Sequence, residues 1–303
     1  MPEVRTFGHG TERPRAIAVG CGGAGCNTLR AIPPDAGVER LAVNDLPHPS
    51  MAGVKRRLLM SKEGLRGIAA MDEQAVKSLA TTAEQSVAVE LADADFVVPI
   101  AGLGGEMGSW GASLVARVAG LKGATTLAVA TMPFSAEGMN RRGVAIEARK
   151  VLRTHAHGVL GLPNDSLLRV APHLPILRAF EVMSKLAVQP LQDLLRVLTR
   201  TDLPVLKSVL RNAEDWQLGI GEGVGDHPEL AATEAAFRSP WITRLARDAR
   251  EVLVLVGLPV LDERVVKEVL HDVDLRAPLA SVTSGIYTDP SMDRMRVTVL
   301  VGF

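Results

Sequence analysis

The stretch Ala16–Arg30, AIAVGCGGAGCNTLR, decides how the rest of this 303-residue chain is read. Ala16 to Val19 is short, apolar and partly β-branched, which predicts a buried strand. Gly20, Gly22, Gly23 and Gly25 follow within six positions. Glycine tolerates positive φ and lets a backbone come close to another group. From Asn27 onward the pattern reads as a helix. Strand, glycine turn and helix start together aim backbone N–H groups and a helix dipole at an anion, usually phosphate. A tight turn with no ligand is the plainer alternative, and this stretch alone leaves both open.

A second glycine run, AGLGGEMGSWGAS at Ala101 to Ser113, has the same setting. It follows the apolar run Phe96 to Ile100 and precedes a helical pattern from Leu114 to Ala119. Two such units in one chain place two loops toward one nucleotide. Leu41 to Asn44 reads as another strand, Asp45 to Ser50 as a loop, Asp72 to Ala92 as a helix covering a sheet face, and Thr126 to Thr131 as a strand. Strands alternating with helices predict an α/β fold with a doubly wound parallel sheet. Ligands of such sheets bind at the carboxyl ends of the strands, where both glycine runs lie. A long helix is expected over Ile176 to Leu198, kinked or interrupted by Pro190. Beyond it, Asn212 to Ser239 holds the glycine cluster GIGEGVG and a short alanine-rich helix. Strands at Glu251 to Leu258, Ser281 to Thr288 and Arg296 to Val301, with a helix at Asp262 to Leu270, predict an α+β second domain. The polar residues 1–14 read as a loose arm.

The formal net charge is zero, which argues against a general nucleic-acid binder. Aromatics are only 3% of the chain, so surfaces for stacking many bases are scarce. No run of 18 apolar residues is present; Val252 to Val260 is half a span and contains Pro259. The beginning of the chain lacks a signal-peptide core. The two cysteines, Cys21 and Cys26, lack metal-site spacing and read as small loop residues of a cytoplasmic protein. His155 and His157 form HAH with no third metal ligand in view, which reads as surface chemistry.

The two glycine runs, with three further stretches in order, resemble the FtsZ branch of the tubulin superfamily. GCGGAGCN at Gly20 to Asn27 is similar to that family's first phosphate loop, and AGLGGEMGSWGA to its glycine-rich signature. TMPFSAEGMNRR (Thr131 to Arg142), LPNDSLL (Leu162 to Leu168) and MRVTVLVGF (Met295 to Phe303) follow as further landmarks. The resemblance covers nearly the whole chain. It implies an arm at 1–14, a GTPase-type domain at 15–172, a central helix at 173–200 and an activation-like domain at 201–303. It implies GTP or GDP as ligand, with magnesium, and head-to-tail association with copies of itself or with another FtsZ-like filament protein. It assigns the nucleotide to Gly20, Cys21, Gly22, Gly23, Asn27, Asn44, Gly104, Gly105, Gly108, Ser109, Glu137, Arg141, Asn164, Phe180 and Glu181, and catalysis to Asp202. Glu137 and Arg141 would contact ribose and phosphate. The plainer reading is that they and the Asn164–Asp165 pair cap loops of an inherited fold. No counterpart is expected here of the family's flexible tail, which docks on membrane adaptors.

Departures from the family pattern bear on function. Its GGGTGTG loop here runs Gly104, Gly105, Glu106, Met107, Gly108, Ser109, Trp110. A carboxylate about 4 Å from a phosphate costs roughly 4 kcal/mol at an effective dielectric near 20, about a thousandfold in affinity. Glu106 can also swing into solvent. The loop that closes over the γ-phosphate aligns with Arg66 to Glu73, and its glycines have become Ala69 and Met71. The family's base-reading aspartate is missing after Phe180; Glu181 either takes its place or is a solvated helix residue. In the catalytic loop, Thr199 to Leu210, Asp202 is kept but Val205 stands at the second aspartate and Arg200 at an asparagine. Losing a water-activating carboxylate costs about a hundredfold to ten-thousandfold. Arg200 could instead pair with Glu106 or Asp72 of the next subunit. Two readings follow: a pseudo-GTPase that keeps the fold and its interfaces, or a working GTPase that assembles with nucleotide.

Overall fold

The computed structural model describes residues 5–8, 10–61, 65 and 81–303. The loop expected at Arg66 to Glu73 and the first part of the helix expected from Asp72 lie outside the described residues. The chain divides into two compact units: Pro14–Val188, and Gln189–Phe303 together with the residues before Pro14.

The strand β1 (Arg5–Thr6) belongs to the second unit, and the first opens with β2 (Ala16–Cys21). Then come α1 (Gly22–Leu29), β3 (Val38–Asn44), β4 (Arg56–Leu59) and α2 (Thr82–Glu90). They are followed by β5 (Phe96–Gly102), α3 (Glu106–Leu121), β6 (Thr125–Met132), α4 (Met139–His155), β7 (Gly158–Pro163) and α5 (Asp165–Val170). The six strands β2 to β7 are all parallel, in the order β4-β3-β2-β5-β6-β7. Central strands of a parallel sheet are covered on both faces, which is why β2 reads as an unbroken apolar run and is buried throughout. The order reverses between β2 and β5. In a doubly wound sheet the ligand crevice opens outside the carboxyl ends at that switch point. Both glycine turns follow the two strands that flank it.

Two helix starts differ from the sequence expectation. α1 begins at Gly22, not Asn27, and α3 takes in most of the second glycine run from Glu106 onward. The glycines serve close packing inside these helices. A Cβ on Gly25 would lie 2.1 Å from the Ile100 carbonyl oxygen, and one on Gly108 would lie 2.3 Å from the Gly102 carbonyl oxygen. Only Gly22 (φ 68°) and Gly104 (φ 103°) of these turns need positive φ. His157, expected at the surface, is buried and ties β6 to β7: its Nδ1 accepts the Thr126 N–H at 2.9 Å, and its own N–H donates to Thr126 Oγ1 at 2.9 Å.

The helix α6 (Ile176–Val197) begins where expected and runs through Pro190 without a break. Proline removes one backbone donor, and the buried face Ala187, Leu191 and Leu194 keeps its helical spacing past it. The second unit continues with α7 (Leu203–Arg211), β8 (Trp216–Gly223), α8 (Pro228–Phe237), β9 (Glu251–Leu258), α9 (Glu263–Arg276), β10 (Ser281–Thr288) and β11 (Met295–Gly302). Its strands lie in the order β1-β10-β9-β11-β8, with β11 antiparallel to both neighbours. The cluster GIGEGVG is therefore mostly strand. Cβ atoms at Gly219, Gly221 and Gly223 would lie 2.1, 1.9 and 1.9 Å from carbonyl oxygens of Ala236, Ala232 and Pro228. Alternate glycines let α8 lie directly on β8. Asp193, buried on α6, accepts from Tyr287 Oη at 2.8 Å and Thr298 Oγ1 at 2.7 Å, which fixes the helix to β10 and β11. Burial, then Asp193, pushes the Tyr287 hydroxyl pKa upward.

The described residues of the expected loose arm are held. β1 pairs with β10, Phe7 is buried, and the Arg13 guanidinium donates to the carbonyls of Leu195 and Leu198 at 3.2 and 3.1 Å.

Candidate functional site

The first unit carries a cleft of about 820 Å³, within the range of roughly 300–1,000 Å³ usual for small-molecule sites. One wall is a single face of α1, with Ala24, Asn27 and Thr28 at helical spacing, continued by Ala31 in the turn after the helix. The opposite wall is one face of α6, with Leu177, Phe180, Glu181, Ser184 and Lys185. Gly102, Leu103 and Thr131 at the ends of β5 and β6, with Glu137, Arg141 and Asn164, complete it.

Six of the predicted residues line this cleft: Asn27, Glu137, Arg141, Asn164, Phe180 and Glu181. Asn164 is buried, and its Oδ1 accepts no hydrogen bond from the described residues. A buried carbonyl oxygen without a donor costs about 1–3 kcal/mol, and a donor on a ligand would satisfy this one. Glu137 Oε1 accepts the Phe134 N–H at 2.8 Å and its other oxygen lies 3.4 Å from Arg141 Nε. Asp165 accepts from the Ser135 N–H and hydroxyl at 2.9 and 2.5 Å. Glu137 and Asp165 thus brace the loop that leads into α4, which carries Arg141. Phe180 packs edge-on against Phe134, with ring centroids 5.6 Å apart.

The glycine residues divide into two groups. Gly20, Gly22 and Gly108 pack backbone to backbone; a Cβ on Gly22 would sit 2.8 Å from the Gly108 nitrogen, so the two turns touch. Gly104 packs against Arg141 at the cleft rim, where its Cβ would lie 2.6 Å from Arg141 Cγ. Gly23 and Gly105 differ: a Cβ on either has room, with nearest atoms at 3.8 and 3.9 Å, and neither has positive φ. Packing of the fold does not require glycine at these two positions, one at the start of α1 and one capping α3. An anion lying over both helix starts would account for glycine there.

Ser109 is buried and its Oγ accepts the Gly104 N–H at 2.9 Å, holding the turn. Cys21 ends β2 and Cys26 lies within α1, both buried. Burial pushes the Cys21 thiol well up and the Cys26 thiol up to about 11, so neither is a nucleophile at neutral pH. Asn44 is buried at the end of β3, with its carbonyl accepting the Met60 N–H at 2.9 Å. Glu106 is exposed as the first residue of α3, where a carboxylate also complements the helix dipole.

Asp202 belongs to the second unit and is buried. Its Oδ2 accepts from the Thr199 N–H at 2.8 Å, the Thr199 hydroxyl at 2.5 Å and the Gly8 N–H at 3.1 Å. Arg200 pairs with Glu12 of the same unit at 2.7 Å. Val205 is 37% exposed on α7.

Sequence reading missed Thr28, Arg30, Ser184 and Lys185 on the cleft wall. The signal was available in their spacing: Thr28 stands one residue past Asn27, and Ser184 and Lys185 stand one turn past Phe180 and Glu181.

The profile of the tubulin/FtsZ family, GTPase domain, matches residues 15–172. Cell division protein FtsZ 1 of Pyrococcus horikoshii is 32% identical over 303 residues, covering 95% of this chain and 81% of the relative. Its namesake in Archaeoglobus fulgidus is 31% identical over 297 residues, covering 93% and 80%. Among solved structures, the empty FtsZ dimer of M. jannaschii superposes with a TM-score of 0.81 at 27% identity, covering 96% of this chain and 88% of that one. The GTPγS-bound protofilament of CetZ2 from Haloferax volcanii superposes with a TM-score of 0.74 at 20% identity, covering 95% and 92%, a likeness of fold.

Proposed function

Since this chain belongs to the tubulin/FtsZ family, and to its FtsZ branch, we propose that it is a cytoplasmic cytoskeletal or cell-division protein with a degenerate GTP site. It binds GTP weakly or not at all and hydrolyses it poorly. It acts through head-to-tail association with copies of itself or with another filament protein of the family. The observation that carries this is Glu106, a carboxylate at the first position of α3, directly after the Gly104–Gly105 turn that packs against Arg141 of the cleft. Phosphates drawn to the two helix starts meet that negative charge. Magnesium would arrive with the phosphates, keeping several of its waters.

Poor hydrolysis has separate support. The one carboxylate kept in the catalytic loop, Asp202, is buried and already accepts three hydrogen bonds from its own chain. A side chain so engaged is poorly placed to polarise a water for a neighbouring subunit. Val205 supplies no replacement. The proposal is tested by GTP titration of nucleotide-free protein beside Glu106→Gln: weak binding that improves in the variant supports it, and submicromolar binding by the native protein refutes it.

The second reading, a working GTPase that assembles with nucleotide, is favoured by Asn164. Its buried, unpartnered Oδ1 on the cleft wall fits a ligand with a hydroxyl or N–H donor, as a nucleoside has.

A further inference from the structure

A second cavity, of about 310 Å³, opens on the first unit where α1 ends, lined by Arg30, Arg40, Ala52, Gly53 and Val54. Arg30 caps the carboxyl end of α1, Arg40 lies on β3, and the other three residues form the turn before β4. Among the described residues no acidic side chain lines it. The adjacent carboxylate, Glu39, points to the other face of β3. There it is held by Arg15 at 2.7 Å and by Arg56, which stands opposite Leu41 in the ladder. Arg57 stands opposite Ala42 and so shares the face of Arg40.

Neither Arg30 nor Arg40 forms an ion pair among the described residues. Arg40 Nη1 donates to the Ile32 carbonyl at 3.3 Å, which holds the guanidinium beside the cavity and uses one of its five N–H donors. Arg57 Nε donates to the Val54 carbonyl at 2.7 Å, which adds a third cation next to that wall. In the turn, the N–H groups of Ala52 and Val54 bond to the carbonyls of Pro49 and Met51 at 3.0 and 3.2 Å; the Gly53 N–H between them has no partner among the described residues. Gly53 has φ 80°, and nothing lies within 4 Å of the place a Cβ would take.

Charge and donor count select the ligand. Guanidinium groups without carboxylates create a positive potential that an anion relieves. Each guanidinium offers a fork for two oxygens. A carboxylate, with two oxygens, satisfies one fork. A phosphate monoester brings three terminal oxygens and close to two charges at neutral pH, enough for both forks and the Gly53 N–H. The volume stands at the low end of the roughly 300–1,000 Å³ usual for small-molecule sites, and Ala52 and Val54 give it an apolar wall. We infer that this cavity binds the phosphate group of a small phosphomonoester.

Arg30 also lines the nucleotide cleft, so Arg40 is the residue that tests this cavity alone. The test is an NMR titration of nitrogen-15-labelled protein with glycerol 3-phosphate in chloride buffer, with glycerol as control, following the Gly53 amide. A saturable shift is expected with the phosphate and none with glycerol. Arg40→Gln and Arg30→Gln are each expected to weaken binding at least about tenfold; the Arg30 side chain bonds to nothing among the described residues, so that variant keeps the fold should Arg40→Gln lose it. Arg40→Lys, which keeps the charge without the fork, is expected to weaken binding less than Arg40→Gln. Lys55→Gln removes an exposed cation outside the lining and is expected to change affinity by less than about twofold. An equal loss in Lys55→Gln and Arg40→Gln overturns the inference, since diffuse surface charge then accounts for the binding. A Gly53 amide that does not shift in the folded native protein overturns it too. Binding that survives Arg40→Gln but is lost in Gly23→Ala places the phosphate at the glycine turns, which overturns the inference and leaves the nucleotide reading standing.

Discussion

Gly25→Ala and Gly23→Ala change the same helix by the same methyl group, yet the structure predicts opposite results. A Cβ on Gly25 lies 2.1 Å from the Ile100 carbonyl oxygen and 3.1 Å from its carbon. Both are backbone atoms of β5 and cannot rotate away, so α1 has to retreat by more than an ångström from the sheet. Overpacking of this kind costs about 1–3 kcal/mol, of which alanine's better helix propensity returns roughly 0.5–1 kcal/mol. For a unit the size of Pro14–Val188, each kcal/mol lowers Tm by roughly 2–4 °C. Gly23 has its nearest atom, His48 Cε1, at 3.8 Å and an ordinary φ. Its alanine variant should be as stable as the native protein or gain up to about 1 kcal/mol, while losing nucleotide affinity. Scanning calorimetry of the two variants, with nucleotide titration of Gly23→Ala, decides the matter. Equal Tm values for the two variants, or full nucleotide affinity in Gly23→Ala, would refute the division of the glycines into packing and ligand groups.

Glu106→Gln should strengthen GTP binding, by roughly fivefold if water screens the exposed carboxylate fully and more if it does not; fluorescence titration giving unchanged affinity counts against the repulsion. Asp202→Ala should cost at least about 2 kcal/mol in urea unfolding, because it strands the N–H groups of Gly8 and Thr199; Asp202→Asn should recover part of the loss. The Ser291 hydroxyl, with Arg196, lowers the Asp289 carboxyl pKa to about 2. A depressed carboxylate stabilises the fold above its ordinary titration range, and that contribution disappears as pH falls toward 2. NMR titration should place the Asp289 midpoint near that value, and Ser291→Ala should move it upward.

Much of the fold was legible because its signals are local. Buried parallel strands are apolar runs, and β2, β3, β5, β6, β9 and β10 all sit where such runs predict them. What was not legible depends on partners distant in sequence. GIGEGVG reads as a loop until α8 is known to lie on alternate glycines of β8. The arm reads as loose because pairing with β10 leaves no periodicity in two residues. His157 reads as surface because Thr126, its partner, lies 31 residues away. The site was half legible for the same reason. Resemblance to the family's motifs pointed to Asn27, Glu137, Arg141, Asn164, Phe180 and Glu181, which line the cleft, whereas Thr28, Arg30, Ser184 and Lys185 join it through tertiary packing of α1 and α6. Motif resemblance also cannot separate a glycine that packs from one that faces a ligand, since both are written with the same letter.

The most direct test of the central claim is sedimentation of the protein with and without GTP, at low and high ionic strength, with released phosphate followed in the same samples. The account predicts pelleting that does not depend on GTP and phosphate release at background. Assembly that requires GTP and is matched by steady phosphate release would contradict it and establish a working GTPase.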